Sequence, residues 1–351
     1  MSEKSYLRRN WKLILNIVTV AALLILAFAV RKQLVDTVKN LTKVNGWALL
    51  LIVPIEALNY HAQTRLYQRL FHTVGESLEY KTLYKLSLEL NFVNHVFPSG
   101  GVTGLSYFGL RLRSAGIRTG KSTIVHFMKL VLQFSSFEIL LLLGMLILAA
   151  VGKANNLIIL IGGSLTTLIV IGTIVMGYII GDRKRIEGFF TVMTKLLNRL
   201  IQVVRPKHPE TINILRVRPF FDEMHENYVL FRAKTPELKA PFWYAMLANV
   251  TELAAVYVVY VAFGHFVNVG AVILAYAVAN FAGLRSVLPG GVGVYEALMT
   301  GVLVVGGVPA AVSIPATVMY RVVNTALQVP PGYYLYHRSL ASGNQPDAES
   351  T

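Results

Sequence analysis

The chain has 351 residues, of which 54% are apolar and only 15% carry a charge. Soluble globular domains average about 25% charged residues, so this composition excludes an ordinary soluble protein and favours an integral membrane protein. The formal net charge of +15 would also suit a nucleic-acid-binding protein, but the basic residues lie in loops between apolar runs, where they attract anionic lipids. We therefore expect no nucleic-acid partner. Cysteine is absent, which excludes a disulfide framework, a thiolate nucleophile and a cysteine-ligated metal.

Long apolar segments recur along the whole chain. A membrane-spanning helix needs about 20 mainly apolar residues, and the first such stretch is Leu13–Val30. It is long for the apolar region of a cleaved signal peptide, so we interpret it as an uncleaved first helix. The further uninterrupted spans are Trp47–Leu70, Ile124–Val151, Leu157–Ile180, Phe242–Phe266 and Ser313–Tyr336. The sequence thus predicts an all-α, polytopic integral membrane helix bundle.

Two more apolar segments are broken by proline and glycine. Leu86–Leu110 is interrupted at Pro98-Ser99-Gly100-Gly101, and Ala271–Val305 is interrupted at Pro289-Gly290-Gly291-Val292-Gly293. Lipid does not satisfy the backbone groups that such breaks leave unpaired, so broken helices persist only inside protein or beside a polar cavity. We expect each segment to be a re-entrant Pro/Gly hairpin. Two complete spans joined by a turn at the membrane surface are the alternative.

The distribution of basic residues predicts the topology. With the N-terminus in the cytoplasm, 25 lysines and arginines fall on the cytoplasmic side and 5 fall outside, as the positive-inside rule requires. A multi-pass protein with both termini in the cytoplasm follows.

The predicted organisation is a single membrane domain over residues 1–340, followed by a disordered polar tail at 341–351. The only sizeable polar stretch is a cytoplasmic linker at about 182–240. Within it, Ile186–Val204 has apolar residues on one helical face and basic residues beside them. This pattern suits a helix lying against anionic headgroups, and a plain linker is the alternative.

The two broken segments align with each other at an offset of 191 residues. Pro98 pairs with Pro289, Gly100 with Gly291, and Gly116 with Gly307 in this alignment, and Ser122, Met128 and Val131 also find identical partners. We therefore predict a repeat, with one copy at about 46–151 and the other at about 241–337. The predicted topology inverts one copy relative to the other. Opposed broken helices indicate a transport site near the middle of the bilayer.

The second motif also carries a family resemblance. It runs from Leu288 through Pro289-Gly290-Gly291-Val292-Gly293-Val294-Tyr295-Glu296 and is followed by Gly307-Val308-Pro309 and Tyr320-Arg321. It resembles the lysylphosphatidylglycerol synthase transmembrane, or flippase-like, family. The first motif, from Asn91 through the first break to Arg111, is similar to the N-terminal counterpart in that family.

The resemblance implies flipping of aminoacylated phosphatidylglycerol, or transport of another lipid, in the cell (plasma) membrane. Bifunctional members also carry a soluble aminoacyl-transferase domain, and no such domain follows within the 351 residues, so we do not expect the synthase reaction. Members often have an acidic residue after the first break as well. Leu105 occupies that position here, which puts in doubt any role of a carboxylate in the first copy.

Ionisable residues at membrane depth are the main candidates for function, because each costs roughly 2.5–3.5 kcal/mol to insert. They are Glu56, Lys129, Glu138, Glu252, Arg285, Glu296 and Arg321. Arginine binds phosphate through a planar fork, so Arg285 and Arg321 are expected to hold a phosphodiester. Glu252 and Glu296 would hold those guanidinium groups or pair with a cationic headgroup. The alternative is a set of structural ion pairs, of which Arg321 with Glu296 is the most obvious.

The residues of the two breaks complete the candidate substrate-binding set. These residues are Pro98, Gly100, Gly101, Pro289, Gly290, Gly291 and Gly293. Glycine allows close backbone approach and positive φ, which suits a phosphate cradle, although small residues also serve simply to pack membrane helices. We expect no cofactor and no metal, because the chain has no P-loop and its histidines lack the spacing of metal ligands.

These features favour a transporter of a polar phospholipid, with an anionic or aminoacylated headgroup, over an enzyme. One alternative is a membrane partner subunit of a lipid synthase or glycosyltransferase that does not itself transport lipid. Another is a membrane enzyme that modifies a lipid headgroup. Besides the lipid bilayer, the sequence is compatible with a homo-oligomer or a separate synthase as partner.

Overall fold

The computed structural model describes residues 28, 35, 44–97, 102–189, 191–192, 214–283 and 293–342. Its helices are α1 (Gly46–Leu50), α2 (Ile52–Thr73), α3 (Tyr80–Val96), α4 (Val102–Arg113), α5 (Thr119–Ala150), α6 (Asn156–Ile180), α7 (Ile214–Ala233), α8 (Lys239–Ala262), α9 (Val269–Gly283), α10 (Val294–Val305) and α11 (Ala310–Ser342). A single 3₁₀ turn, Thr235–Leu238, leads into α8, and residues 183–189 are also helical. No strand occurs in this part of the chain, so the predicted all-α class is confirmed.

Three helical stretches of the described chain are long and apolar enough to cross a bilayer: Thr119–Ala150, Asn156–Ile180 and Thr235–Ala262. They coincide with three of the predicted spans, which confirms the membrane helix bundle. The spans predicted around α2 and α11 are also helical. These two helices are less apolar because they carry polar residues that the bundle buries, including Asn59, Gln63 and Gln328.

The surface of the bundle suits lipid. Large apolar side chains point outward from α5 and α6, including those of Leu146, Leu160 and Ile174. In water such a surface would be an aggregation hazard, whereas in a bilayer these side chains lie in a medium of their own polarity. Because apolar residues cover the outside, the polar residues within the spans are free to line the inside.

The first broken segment is interrupted where the sequence predicts, because its leading helix α3 ends at Val96 and Phe97 is no longer helical. In the second segment, α9 is described as far as Gly283, and α10 begins at Val294 directly after Gly293. In each segment the two arms lie side by side: Glu89 of α3 contacts Arg111 of α4, and Gly306, at the end of α10, lies against Ala271 of α9. All but one residue of the first predicted span, the whole of the first Pro/Gly turn, and most of the second turn and of the C-terminal tail lie outside the described residues. The re-entrant course of the hairpins therefore stays a prediction.

The ends of the helices repeat at nearly constant spacing. At an offset of 191 residues, α4 and α5 superpose in sequence on α10 and α11 to within about one residue at each end. Gly116 and Gly307, which match at this offset, have φ of +83° and +86°. Gly75 and Gly264 match at an offset of 189 and have φ of +80° and +77°.

All four glycines close the same helix-ending motif. The N–H of each glycine donates to the carbonyl three residues earlier, and the next N–H donates to the carbonyl five residues earlier. This is the Schellman arrangement, in which glycine adopts the left-handed conformation at low cost. Identical helix ends at matching positions support the predicted repeat.

The two matching helices α2 and α8 cross at the centre of the bundle. The N–H of Asn45 donates to the carbonyl of Ala262, and the side chain of Asn59 donates to the carbonyl of Ala248 at 2.8 Å. Residue numbers thus rise along one helix as they fall along the other, so the helices run antiparallel. Ala248 is also the residue that matches Asn59 at the offset of 189. A two-fold axis that exchanged the halves would exchange these two residues, so it would pass between them. This geometry supports inversion of the repeat.

The halves interlock rather than pack side by side. The first arm of each broken segment rests on the long helix of the other half, with α3 against α11 and α9 against α5. Glycine permits this close approach at Gly332 of α11 and Gly270 of α9, whose Cα positions face the backbones of Leu88 and Gly144. Small residues at such crossings increase dispersion contacts between helices. Polar residues of different halves meet inside the bundle, as Glu56 of α2 and Gln328 of α11 show.

Candidate functional site

One candidate cluster lies where α10 begins, directly after the second Pro/Gly break. Gly293 precedes the helix with φ of +88°, a conformation that favours glycine. Its N–H donates to Glu296 Oε2 at 2.6 Å, so the carboxylate caps the helix from its first turn. A negative charge at a helix N-terminus is stabilised by the unpaired N–H groups there.

The other oxygen of Glu296 holds Arg321. Arg321 Nη1 lies 3.4 Å from Glu296 Oε1, and each side chain is only 13% exposed. The guanidinium also lies 4.6 Å from the centre of the Tyr295 ring, a cation–π distance. The predicted Arg321–Glu296 ion pair is therefore present, and it ties α10 to α11 beside the break. Arg285, the other predicted phosphate ligand, lies outside the described residues.

A second cluster centres on Glu252 of α8. Its Oε2 accepts hydrogen bonds from the hydroxyls of Tyr320 at 3.2 Å and Tyr276 at 3.4 Å. These donors come from α11 and α9, so the carboxylate joins three helices. The sequence suggested that Glu252 and Glu296 hold the guanidinium groups of Arg285 and Arg321 or pair with a cationic headgroup. In the structure two tyrosine hydroxyls occupy Glu252 Oε2, while Glu296 holds Arg321.

A row of hydrogen bonds connects Glu252 to the second buried acid, Glu56 of α2. Along α11, Asn324 Nδ2 donates to the Tyr320 hydroxyl at 3.3 Å, and Gln328 Nε2 donates to Asn324 Oδ1 at 2.8 Å. Gln328 Nε2 also donates to Glu56 Oε2 at 3.3 Å. Tyr320, Asn324 and Gln328 are spaced four residues apart, so they lie on one face of the helix. This face carries a continuous polar path from one half of the molecule to the other.

A third cluster surrounds Lys129 of α5. Its ammonium donates to Gln63 Oε1 at 3.3 Å and lies 4.9 Å from the centre of the Tyr67 ring. Gln63 Nε2 donates to Asn59 Oδ1 at 2.6 Å, and Asn59 Nδ2 donates to Thr251 at 2.9 Å. The cation is thus held by a chain of side chains that ends at the crossing of α2 and α8.

The second and third clusters occupy matching places in the two halves. Lys129 corresponds to Tyr320 at the offset of 191, and Gln63 corresponds to Glu252 at the offset of 189. Each half therefore has one polar contact between two matching helices: α5 with α2 in the first half, and α11 with α8 in the second. The charged member of the contact is a lysine in the first half and a glutamate in the second. The two contacts differ in charge, and they occupy matching positions in the predicted repeat.

Comparison with known proteins assigns this chain to a family and identifies a relative. The model of the lysylphosphatidylglycerol synthase TM region matches residues 13–332. The chain belongs to this family. It is also similar to a UPF0104 membrane protein of Methanothermobacter thermautotrophicus, with 35% identity over 83 residues, which is 24% of this chain and 25% of that relative. The chain therefore matches about a quarter of the relative's length, and the likeness supports membership of a membrane protein family only.

In this member of the lysylphosphatidylglycerol synthase TM-region family, the sequence prediction named the charges of the three clusters but missed the amide and hydroxyl groups that contact them. It also missed the buried Glu89, which pairs with Arg111. The missed amide and hydroxyl residues are Asn59, Gln63, Thr251, Tyr276, Tyr320, Asn324 and Gln328. A detectable signal was present, because polar residues at four-residue spacing mark one face of an otherwise apolar helix. Reading that face on α2 and α11 would have identified most of them.

The predicted candidate Glu138 does not join these clusters. It is only 9% exposed, and neither carboxylate oxygen has a hydrogen-bond partner among the described residues. Met145, seven residues later on the same face of α5, lies against Gly162 of α6. This spacing places Glu138 on the side of α5 that packs against α6. The described residues also contain no group of three or more potential histidine or carboxylate metal ligands.

Proposed function

We propose that this protein carries a polar phospholipid headgroup across the bilayer through the interior between its two halves. The observation that supports this most directly is the run of polar contacts from Glu252 to Glu56, which joins α8, α11 and α2 inside a bundle whose surface is apolar. Ionisable groups at membrane depth are costly to keep. A path of them between opposed halves is typical of transporters.

The charges suit both parts of an aminoacylated or anionic headgroup. Arg321 is a guanidinium beside a helix N-terminus and a Pro/Gly break, the setting in which proteins bind phosphate. Glu252 and Glu296 are carboxylates that suit an amine. On this proposal the acyl chains remain in lipid while the headgroup binds to Arg321 and Glu296 in place of their contact with each other. The protein then lies in the cell membrane with both termini in the cytoplasm.

The decisive experiment measures flipping in liposomes that contain the purified protein and fluorescent analogues of phosphatidylglycerol and aminoacyl-phosphatidylglycerol. Dithionite quenches only label in the outer leaflet, so the accessible fraction over time reports translocation. Arg321→Ala and Glu296→Gln are expected to slow flipping about ten- to hundredfold, because a hydrogen bond to a charged group contributes about 1.5–3 kcal/mol. Arg183→Ala and Glu226→Gln remove an exposed ion pair of the same residue types, with exposures of 53% and 62%, and are the matched controls.

The same preparation distinguishes the alternatives. No flipping of any tested lipid by monodisperse wild-type protein would contradict transport and favour a partner subunit of a synthase or glycosyltransferase. Chemical turnover of the headgroup would favour a lipid-modifying enzyme. Equal loss in the Arg183→Ala control would show that the Arg321 effect is not specific to the interior pair.

A further inference from the structure

The contact between Glu56 and Gln328 leaves two oxygen atoms without a partner. Gln328 Nε2 donates to Glu56 Oε2 at 3.3 Å, while Glu56 Oε1 and Gln328 Oε1 have no hydrogen bond among the described residues. Glu56 is 4% exposed and Gln328 is 2% exposed, so water is a poor substitute. Two buried acceptors without a donor are unfavourable unless a donor is supplied.

A proton on Glu56 satisfies both atoms. A carboxylic acid and a primary amide pair through two parallel hydrogen bonds, in which the amide N–H donates to the acid carbonyl and the acid O–H donates to the amide oxygen. The first of these bonds is already present. Protonation of Glu56 Oε1 gives the second, with Gln328 Oε1 as its acceptor.

The charges around Glu56 also favour its protonation. One lysine and four tyrosines face Glu56 and Glu252: Lys129 of α5, Tyr60 of α2, Tyr276 of α9, Tyr295 of α10 and Tyr320 of α11. Tyr84 of α3 contacts the ring of Tyr60. Arg321 is already paired with Glu296. The tyrosines are neutral near neutral pH. Two ionised acids beside one lysine would therefore leave one negative charge uncompensated in a medium of low dielectric constant.

The geometry points to a proton-binding site formed by Glu56 and Gln328, an acid–amide pair that closes on protonation and opens on release. Release would place the carboxylate Oε1 against the amide oxygen, and two acceptors repel each other. Because Glu56 belongs to α2 and Gln328 to α11, the proton determines whether the first half is bonded to the second at this point. On the proposed transport function, this pair couples proton movement to movement of the halves.

Infrared difference spectroscopy tests the site without reference to transport. Wild-type protein in lipid is expected to show the carbonyl band of a protonated carboxylic acid, which moves to lower frequency in D₂O and disappears at high pH. Glu56→Gln should remove this band, and it preserves shape and donates the missing hydrogen bond through its own amide, so the variant should fold. Gln328→Leu should move the band to higher frequency, because the acid loses its acceptor. Gln68→Leu, at the far end of α2, is the amide control and should leave the band unchanged.

Three outcomes would overturn the site. The first is a protonated-acid band that survives in Glu56→Gln, and the second is an unchanged band frequency in folded Gln328→Leu. The third is the absence of such a band from the wild-type spectrum, together with a melting temperature of the wild-type protein that rises with sodium concentration. The last result would assign the orphaned oxygens to a metal cation instead.

Coupling is measured separately, as the flipping rate under pH gradients of opposite sign. Wild type should respond severalfold to the sign of the gradient, whereas Glu56→Gln should not respond. Flipping that occurs in wild type without a response would contradict the coupling while leaving the transport function intact. The infrared result stands even if no flipping is found.

Discussion

At the scale of single residues, neighbouring groups supply polar partners to Lys129, Glu252 and Glu296 within the bundle. Glu296 has two partners, because one carboxylate oxygen caps α10 and the other pairs with Arg321. The cap depends on Gly293, whose φ of +88° turns its N–H toward the carboxylate. With ψ of −48° this conformation lies outside the regions that residues with a Cβ ordinarily adopt, and such a residue reaches it only at a cost of about 1–3 kcal/mol.

Gly293→Ala is therefore expected to destabilise the protein by about 1–3 kcal/mol. Thermal unfolding in detergent, followed by circular dichroism, measures the effect as a lower melting temperature. Gly301→Ala is the control, because Gly301 lies inside α10 with open space around the new Cβ. Alanine is the better helix former there by up to about 1 kcal/mol. A Gly293→Ala variant as stable as wild type would show that the capped turn does not support the site.

At the scale of helices, the contacts between halves depend on close approach at glycine. A Cβ on Gly332 of α11 would lie 2.5 Å from the Cβ of Phe92 and 2.6 Å from the carbonyl oxygen of Leu88. The backbone oxygen cannot rotate away, so α11 would have to move from α3. Gln328, one turn before Gly332 on the same helix, would move with it.

Gly332→Ala should consequently destabilise the bundle by about 1–3 kcal/mol, the usual cost of overpacking. Gly163→Ala of α6 places the same substitution in an apolar helix where no other atom lies within 4 Å, and it should be neutral or slightly stabilising. Paired unfolding curves of the two variants in detergent give the comparison. Equal stability of both variants would contradict a tight contact between α3 and α11.

At the scale of the whole molecule, the inverted repeat that we predict would bring one set of polar contacts from each half to a single interior. The central helices run antiparallel, and matching residues meet where they cross. Such an arrangement places one broken segment on each side of the membrane if the loops follow the positive-inside rule. The native chain has no cysteine, so single cysteines report sidedness without background.

Lys153→Cys, in the loop after α5, is expected to react with an impermeant maleimide in intact cells. Lys184→Cys, after α6, should react only once the membrane is opened. Both lysines are exposed, so access to the reagent depends on sidedness rather than burial. Labelling of Lys184→Cys alone in intact cells would reverse the topology, and labelling of both would contradict a single orientation.

Much of this architecture could be predicted from local features of the sequence. Apolar runs of sufficient length must be helical in lipid, because only a helix satisfies its own backbone. Proline and glycine mark where the helices end, and the observed ends at Val96 and Val102 agree with the first predicted break. The Arg321–Glu296 pair was also predicted, because two opposite charges in one apolar half have few alternatives to each other.

The sequence by itself determined the all-α membrane class, the position of the first break and most of the charges buried in the bundle, although it missed Glu89, which is 2% exposed. Only the tertiary structure decided which amides and hydroxyls hold those charges. Gln328 and Glu56 are 272 residues apart in sequence, and their contact depends on how α11 is rotated against α2. Composition and periodicity report whether a face is polar, whereas the partner of that face is decided by helix packing, which sums dispersion contacts over the whole bundle.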